Sequence, residues 1–146
     1  MILNDRFKIL AESQNYVLGN EYEYGYLINK HTGKEFYLGD SYGDPTFGLI
    51  DKNENWALLF GHDSYLWTPA DITHLNEELY IWEHLFTWPY DARQVSDFEV
   101  EILHEPDTDN AAIFSFNIKT MEVKKTADFK KIEILYSSFE KPIISW

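Results

Sequence analysis

Three stretches of the chain alternate apolar and polar residues, pass through a polar loop and alternate again, the period-two signature of antiparallel hairpins. In "YEYGYLINKHTGKEFYL", Tyr22, Tyr24, Tyr26 and Ile28 share one strand face and "NKHTGK" supplies the turn. In "FGLIDKNENWALLFG", Trp56, Leu58 and Phe60 share a face after "DKNEN". In "AAIFSFNIKTMEVKK", Phe114, Phe116 and Ile118 alternate before a turn near Lys119 and Thr120. Further strands are expected at "KKIEILYSS" and at "DFEVEILHE", where Phe98, Val100 and Ile102 face away from Glu99 and Glu101. The proline and the Asp/Asn cluster of "EPDTDN" mark the loop that follows. The likeness of "LINKHTGKEF" to "FNIKTMEVKK" is read as shared hairpin chemistry, because the spacing is too irregular for a repeat protein.

The segment "TPADITHLNEELYIWEHLF" reads differently. Thr68 suits an N-cap, Pro69 the first helical position and Asp71 the first turn, and Ile72, Leu75, Leu79, Trp82 and Phe86 follow at helical spacing. This predicts a helix over about 69–86, with a strand from Leu79 onward as the alternative, since "LYIW" is also a good strand run. The expected fold is therefore mainly β: a single domain over 1–146, an antiparallel sheet or sandwich built from successive hairpins, with about six to nine strands and one helix at most.

Composition narrows the class. A chain of 146 residues with 45% hydrophobic and 17% aromatic content can bury a core without staples. It has no cysteine, so a disulfide framework, a thiolate zinc site and a cysteine nucleophile are excluded. The start, "MILNDRFKILAESQNY", places Asp5, Arg6, Lys8 and Glu12 among its apolar residues, unlike a signal peptide. These features predict a soluble cytoplasmic protein, of bacterial type.

Charge adds a direction. The net charge is −13, and from Asn53 to Ile118 thirteen acidic residues stand against Arg93 alone, a net −12. Such a field repels nucleic acid and anionic membrane and favours a basic partner. Ordinary solubility of an acidic surface is the competing explanation.

Motifs for the common chemistries are missing. There is no glycine-rich phosphate loop, serine elbow or paired-histidine zinc motif, and no cofactor is expected. His31, His62, His74, His84 and His104 lack ligand spacing and read as scattered surface histidines, although His62 adjoins Asp63 and His74 precedes Glu78 by four. Asp40, Asp44, Asp51 and Asp63 could be paired as in a glycosidase, but Asp40, Asp44 and Asp51 sit in turn sequences where aspartate bonds its own backbone.

Most of the aromatics alternate as core residues. Those outside clean alternation are Tyr42, Tyr65, Trp67, Trp88 and Tyr90, and they are expected at the surface among carboxylates. A binding face is predicted in which Glu77, Glu78, Glu83, Glu99, Glu101, Asp107 and Asp109 supply the field. Asp63, Tyr65, Trp67, Trp88 and Tyr90 complete it, the rings acting as anchors. Trp146, at the end of "EKPIISW", is expected to dock on the body of the domain.

The block "GDPTFGLIDKNENWALLFG", followed by "YLWT" and later "DNAAIFSFNIKT", together with the size, the acidity and the lack of cysteine, resembles the immunity proteins of bacterial polymorphic and contact-dependent toxin systems. The resemblance covers roughly residues 22 to 146 and carries no family site residue with it. It implies a non-enzymatic protein that binds and neutralises a basic toxin in the cytoplasm. The alternative is a carbohydrate-binding or glycan-processing β-domain that uses the rings and aspartates of residues 42 to 67.

Overall fold

The computed structural model describes residues 5–69, 71–74, 86–133 and 143–146. They form twelve short strands in three four-stranded antiparallel sheets, and each sheet is a meander in which every strand pairs with its neighbours in sequence. Two compact units result, Met1–Pro89 and Tyr90–Trp146.

The first unit holds two sheets. One comprises β1 (Phe7–Glu12), β2 (Tyr16–Glu21), β3 (Tyr24–Asn29) and β4 (Glu35–Asp40). The other comprises β5 (Phe47–Ile50), β6 (Ala57–Phe60), β7 (Tyr65–Thr68) and β8 (Asp71–His74). They share a core in which Leu18, Leu27 and Leu38 meet Ala57, Leu59, Tyr65 and Trp67. Burying each such leucine is worth about 1.5–3 kcal/mol, so this seam is what joins the two sheets. Trp56, Leu58 and Phe60 do share a face, as their alternation predicts, but it is the opposite face of β6 that enters the seam, and both faces are fully buried.

The second unit is one sheet: β9 (Asp91–Ser96), β10 (Glu99–His104), β11 (Ala112–Asn117) and β12 (Val123–Asp128). Register pairs Val100 with Phe116 and Ile102 with Phe114, giving the half-buried face read from the sequence. Trp146 docks on this unit, as expected. Its indole Nε1 donates to Asp91 Oδ2 at 2.9 Å, and the Arg93 guanidinium lies 4.1 Å from the ring centre.

The three hairpins form where their turn residues allow. Asn29 and Asn117 build the same turn. Each accepts through its side-chain oxygen from the backbone N–H groups two and three residues on, and each bonds through its own N–H to the carbonyl five residues on. A residue with positive φ closes each turn, Gly33 at 74° and Met121 at 61°. Asp51 organises the β5–β6 turn by accepting from Asn55 N at 2.9 Å, so for this aspartate the turn role holds.

Three expectations change. Thr68 ends β7 and Asp71–His74 pairs with it as β8, so the helix predicted to open at Pro69 does not begin there; residues 75–85 lie outside the described residues. Among the described residues there is no helix. Proline and aspartate favour tight turns as strongly as helix starts, and here the turn prevailed. Twelve strands exceed the expected six to nine because each is only four to six residues long. Finally, residues 130–133 of the "KKIEILYSS" stretch are irregular, and its remainder lies outside the described residues.

Candidate functional site

The predicted anchors separate into two groups. Tyr65, Trp67 and Tyr90 are 8%, 3% and 8% exposed and cannot present their rings to a partner. The Tyr65 ring lies against Gly39, and its hydroxyl donates to the Asp40 carbonyl at 2.6 Å. Trp67 sits between Tyr16 and Phe36, with ring centres 5.5 and 5.4 Å away. Tyr65 and Trp67 leave the expected alternation because β7 is buried on both faces, not because they reach solvent.

Trp88 and Tyr42 do reach it, at 44% and 77% exposure. Four loops of the first unit bring them together. Glu23, in the β2–β3 turn, accepts from Gly43 N through Oε2 at 2.8 Å, and its carbonyl accepts from Ser41 N at 2.9 Å. Asp63 accepts from Tyr42 N through Oδ2 at 3.3 Å, while its own N–H donates to Ser41 Oγ at 3.2 Å. Trp88 N donates to Gly61 O at 2.7 Å, which fixes a bulky residue at a φ of 52° and lays its indole over Gly43.

His62 sits between the two rings. Its imidazole meets Tyr42 at 5.5 Å and 62°, and Trp88 at 6.0 Å and 69°, both edge-to-face. Its Nδ1 is 3.4 Å from Asp63 Oδ2. The result is a row of three rings carried by loops that are bonded to two carboxylates. It can offer ring faces and negative charge to a ligand. The loops that build it, 22–23, 41–46, 61–64 and 86–89, contain no lysine or arginine.

A second ring group lies on the β3–β4 hairpin. Tyr26 pairs with Tyr37 across the strands at 5.5 Å, and Tyr24 is 6.4 Å from Tyr37; Tyr24 and Tyr37 are each about half exposed. Burial and then the neighbouring Asp40 carboxylate push the Tyr37 phenol above its ordinary pKa, so it stays a neutral hydroxyl. Tyr24 and Tyr26 alternate visibly in the sequence, but nothing there brings Tyr37 beside them.

The acidic residues are also redistributed. Glu101 accepts from Arg93 Nε and Nη2 at 2.9 and 2.8 Å, and Asp109 lies 3.3 Å from Lys131. Glu99 shares a shallow depression with Ser115, Asn117, Thr120, Glu122 and Lys124, and Asp107 shares another with Lys131, Ile132 and Glu133. The four acids from the second unit that were assigned to the field thus lie among lysines and Arg93. Glu77, Glu78 and Glu83 fall outside the described residues. By sequence the first unit carries 14 acidic and five basic residues, net −9, and the second 11 and seven, net −4.

His104, expected at the surface, is 5% exposed and meets Phe114 edge-on at 5.6 Å. Among the described residues no three His, Asp or Glu side chains converge as a metal site would require, and no helix is long and apolar enough to cross a membrane. No protein-family model matches the chain, and no curated protein is similar to it in sequence.

Proposed function

We propose that this is a non-enzymatic binding protein that captures a basic protein through the first unit, acting in the cytoplasm as an immunity protein against a toxin domain. One observation carries the reading. The exposed rings Tyr42 and Trp88 belong to loops held through the carboxylates of Glu23 and Asp63 and through Gly43, on the unit with the larger negative charge. Charge steers the encounter of such a face with a basic partner, while desolvated rings supply most of the affinity.

The carbohydrate alternative gains less from the geometry. Sugar platforms need coplanar rings, whereas these meet at 49° to 69°.

Affinity capture from a bacterial lysate at low and at physiological salt, with mass spectrometry of what is retained, tests the proposal. Recovery of one basic protein whose binding weakens with salt supports it. Retention of nothing at either salt, together with a positive glycan array, replaces it with the carbohydrate reading.

A further inference from the structure

The sheet of β1 to β4 turns one face to the core it shares with β5 to β8, and its register shows what the other face carries. Ile9 pairs with Gly19, Gly19 with Tyr26 and Tyr26 with Tyr37, so one row crosses all four strands. Gly19 leaves a gap in that row, and the Phe7 ring fills it: a Cβ on residue 19 would lie 2.9 Å from Phe7 Cε1. Tyr24 adjoins the row, with Glu21 and Asp40 opposite it on the flanking strands. Ile9, Tyr24 and Tyr37 are each about half exposed. The result is an aromatic strip about 14 Å long, three strand spacings, edged by Glu21 and Asp40.

The rings do not lie flat. Tyr37 is tilted by 49° to both Tyr24 and Tyr26, which leaves furrows between them, and its ring centre lies 6.4 and 5.5 Å from theirs. A helix, about 10 Å across, would ride above furrows this narrow. A polyproline II segment advances about 6.2 Å in two residues and would cross the strip in four or five. Its pyrrolidine rings set C–H edges against aromatic faces, and because it has no internal hydrogen bonds its carbonyls are free to accept. The Tyr24 and Tyr26 hydroxyls bond to nothing among the described residues and are placed to donate to such carbonyls. Asp40, 3.5 Å from the Tyr37 hydroxyl, has no basic partner among the described residues, so the strip ends on a charge that complements a cation.

We infer that this face docks a proline-rich segment in the polyproline II conformation, with a basic residue of that segment against Asp40. The surface lies outside the Tyr42–Trp88 loops and does not depend on the proposed function. Ordering such a segment costs little, because it is stiff before it binds.

The test is an NMR titration of the full chain with three peptides: a short polyproline ending in arginine, a counterpart with alanine at every second proline, and one ending in glutamine. The expected result is a saturable shift of the Tyr24, Tyr26 and Tyr37 ring signals with the first, several-fold weaker binding with the other two. Tyr37→Ala, checked for native spectral dispersion, should weaken binding of the first peptide about tenfold. Tyr24→Phe and Tyr26→Phe keep the rings and the packing, and each should weaken it several-fold through the lost hydroxyl. Equal binding of the alanine counterpart, or tyrosine signals unmoved by any peptide, overturns the inference. Movement of those signals with protein concentration alone assigns the face to a second copy and also overturns it. None of these outcomes bears on salt-sensitive capture of a basic protein, so the two readings fail separately.

Discussion

The hydroxyl of Tyr65 donates to the carbonyl of Asp40 at 2.6 Å, so a strand of one sheet in the first unit reaches across to the end of a strand in the other. The ring that carries this hydroxyl occupies the space where a side chain on residue 39 would stand: a Cβ there would lie 2.4 Å from it. Gly39 also has a φ of 147°, in the range that disfavours other residues. Tyr65→Phe should cost about 1 kcal/mol, the net worth of one hydrogen bond, and Gly39→Ala should cost at least about 2 kcal/mol through clash and backbone strain. Urea midpoints measure both, and an equal cost for the two substitutions would contradict this geometry.

Glu54 links the β1–β2 loop to the β5–β6 turn. Burial alone would raise its pKa, but bonds donated by Ser13 Oγ, Asn15 Nδ2 and Asn15 N, with the charge of Lys30, outweigh that and hold the carboxyl below its ordinary value. A carboxyl whose folded pKa is depressed contributes stability that is fully present above its unfolded value and is lost as pH falls through the folded one. Glu54→Gln should therefore cost about 1–2 kcal/mol at pH 7, and the gap to wild type should narrow below about pH 4. Denaturation at a series of pH values checks this; parallel stability curves down to pH 3 would refute the role of the ionised group.

The twin turns offer a paired test. A Cβ at Gly33 would meet nothing within 4 Å, so Gly33→Ala probes only the cost of a φ of 74°. It should destabilise by about 1 kcal/mol. Met121→Gly, at the corresponding position, should relieve similar strain and raise the melting temperature by a few degrees. Thermal melts that move in the same direction for both would break the equivalence of the two turns.

Trp146 ties β9 down through Asp91 and Arg93. Removing its ring in Trp146→Ala should cost about 1–2 kcal/mol. Amide hydrogen exchange should locate the loss, with protection falling along β9 while β2 and β3 in the first unit are unaffected.

Charge reversal at Glu23 and Asp63 should slow association with a basic partner about tenfold at low salt, and the difference should shrink as salt is added. Reversal of Glu101, which Arg93 already engages, should change the rate less. Stopped-flow association rates compare them directly.

The hairpins were legible because their turns carry specific chemistry: Asn29, Asp51 and Asn117 each bond the backbone of their own loop. The helix start at Pro69 is misleading because Thr68, Pro69 and Asp71 satisfy a helix start and a tight strand connection equally well, and only the pairing of β8 with β7 distinguishes them. Tyr65 and Trp67 were expected outside because a four-residue strand covered on both faces has no alternation to read. The candidate site was half visible. Tyr42, Trp88 and Asp63 stood out in the sequence, but Glu23 and His62 come from separate turns, and only the bonds at Ser41, Tyr42 and Gly43 gather them. The acidic segment lost its concentration for the same reason: Lys124 and Lys131, distant along the chain, return beside its glutamates and aspartates.

Because each of the three sheets formed by the described residues is a meander, none of their strands waits for a partner from elsewhere in the chain before it can pair. Hairpin closure of this kind takes about 1–10 μs, and local pairing keeps the entropic barrier to sheet formation small. The three sheets can therefore nucleate separately, and the chain should acquire its pairing faster than Greek-key sandwiches of equal length. For a protein with so many aromatic strands, that speed also shortens the time during which unpaired edges can meet one another.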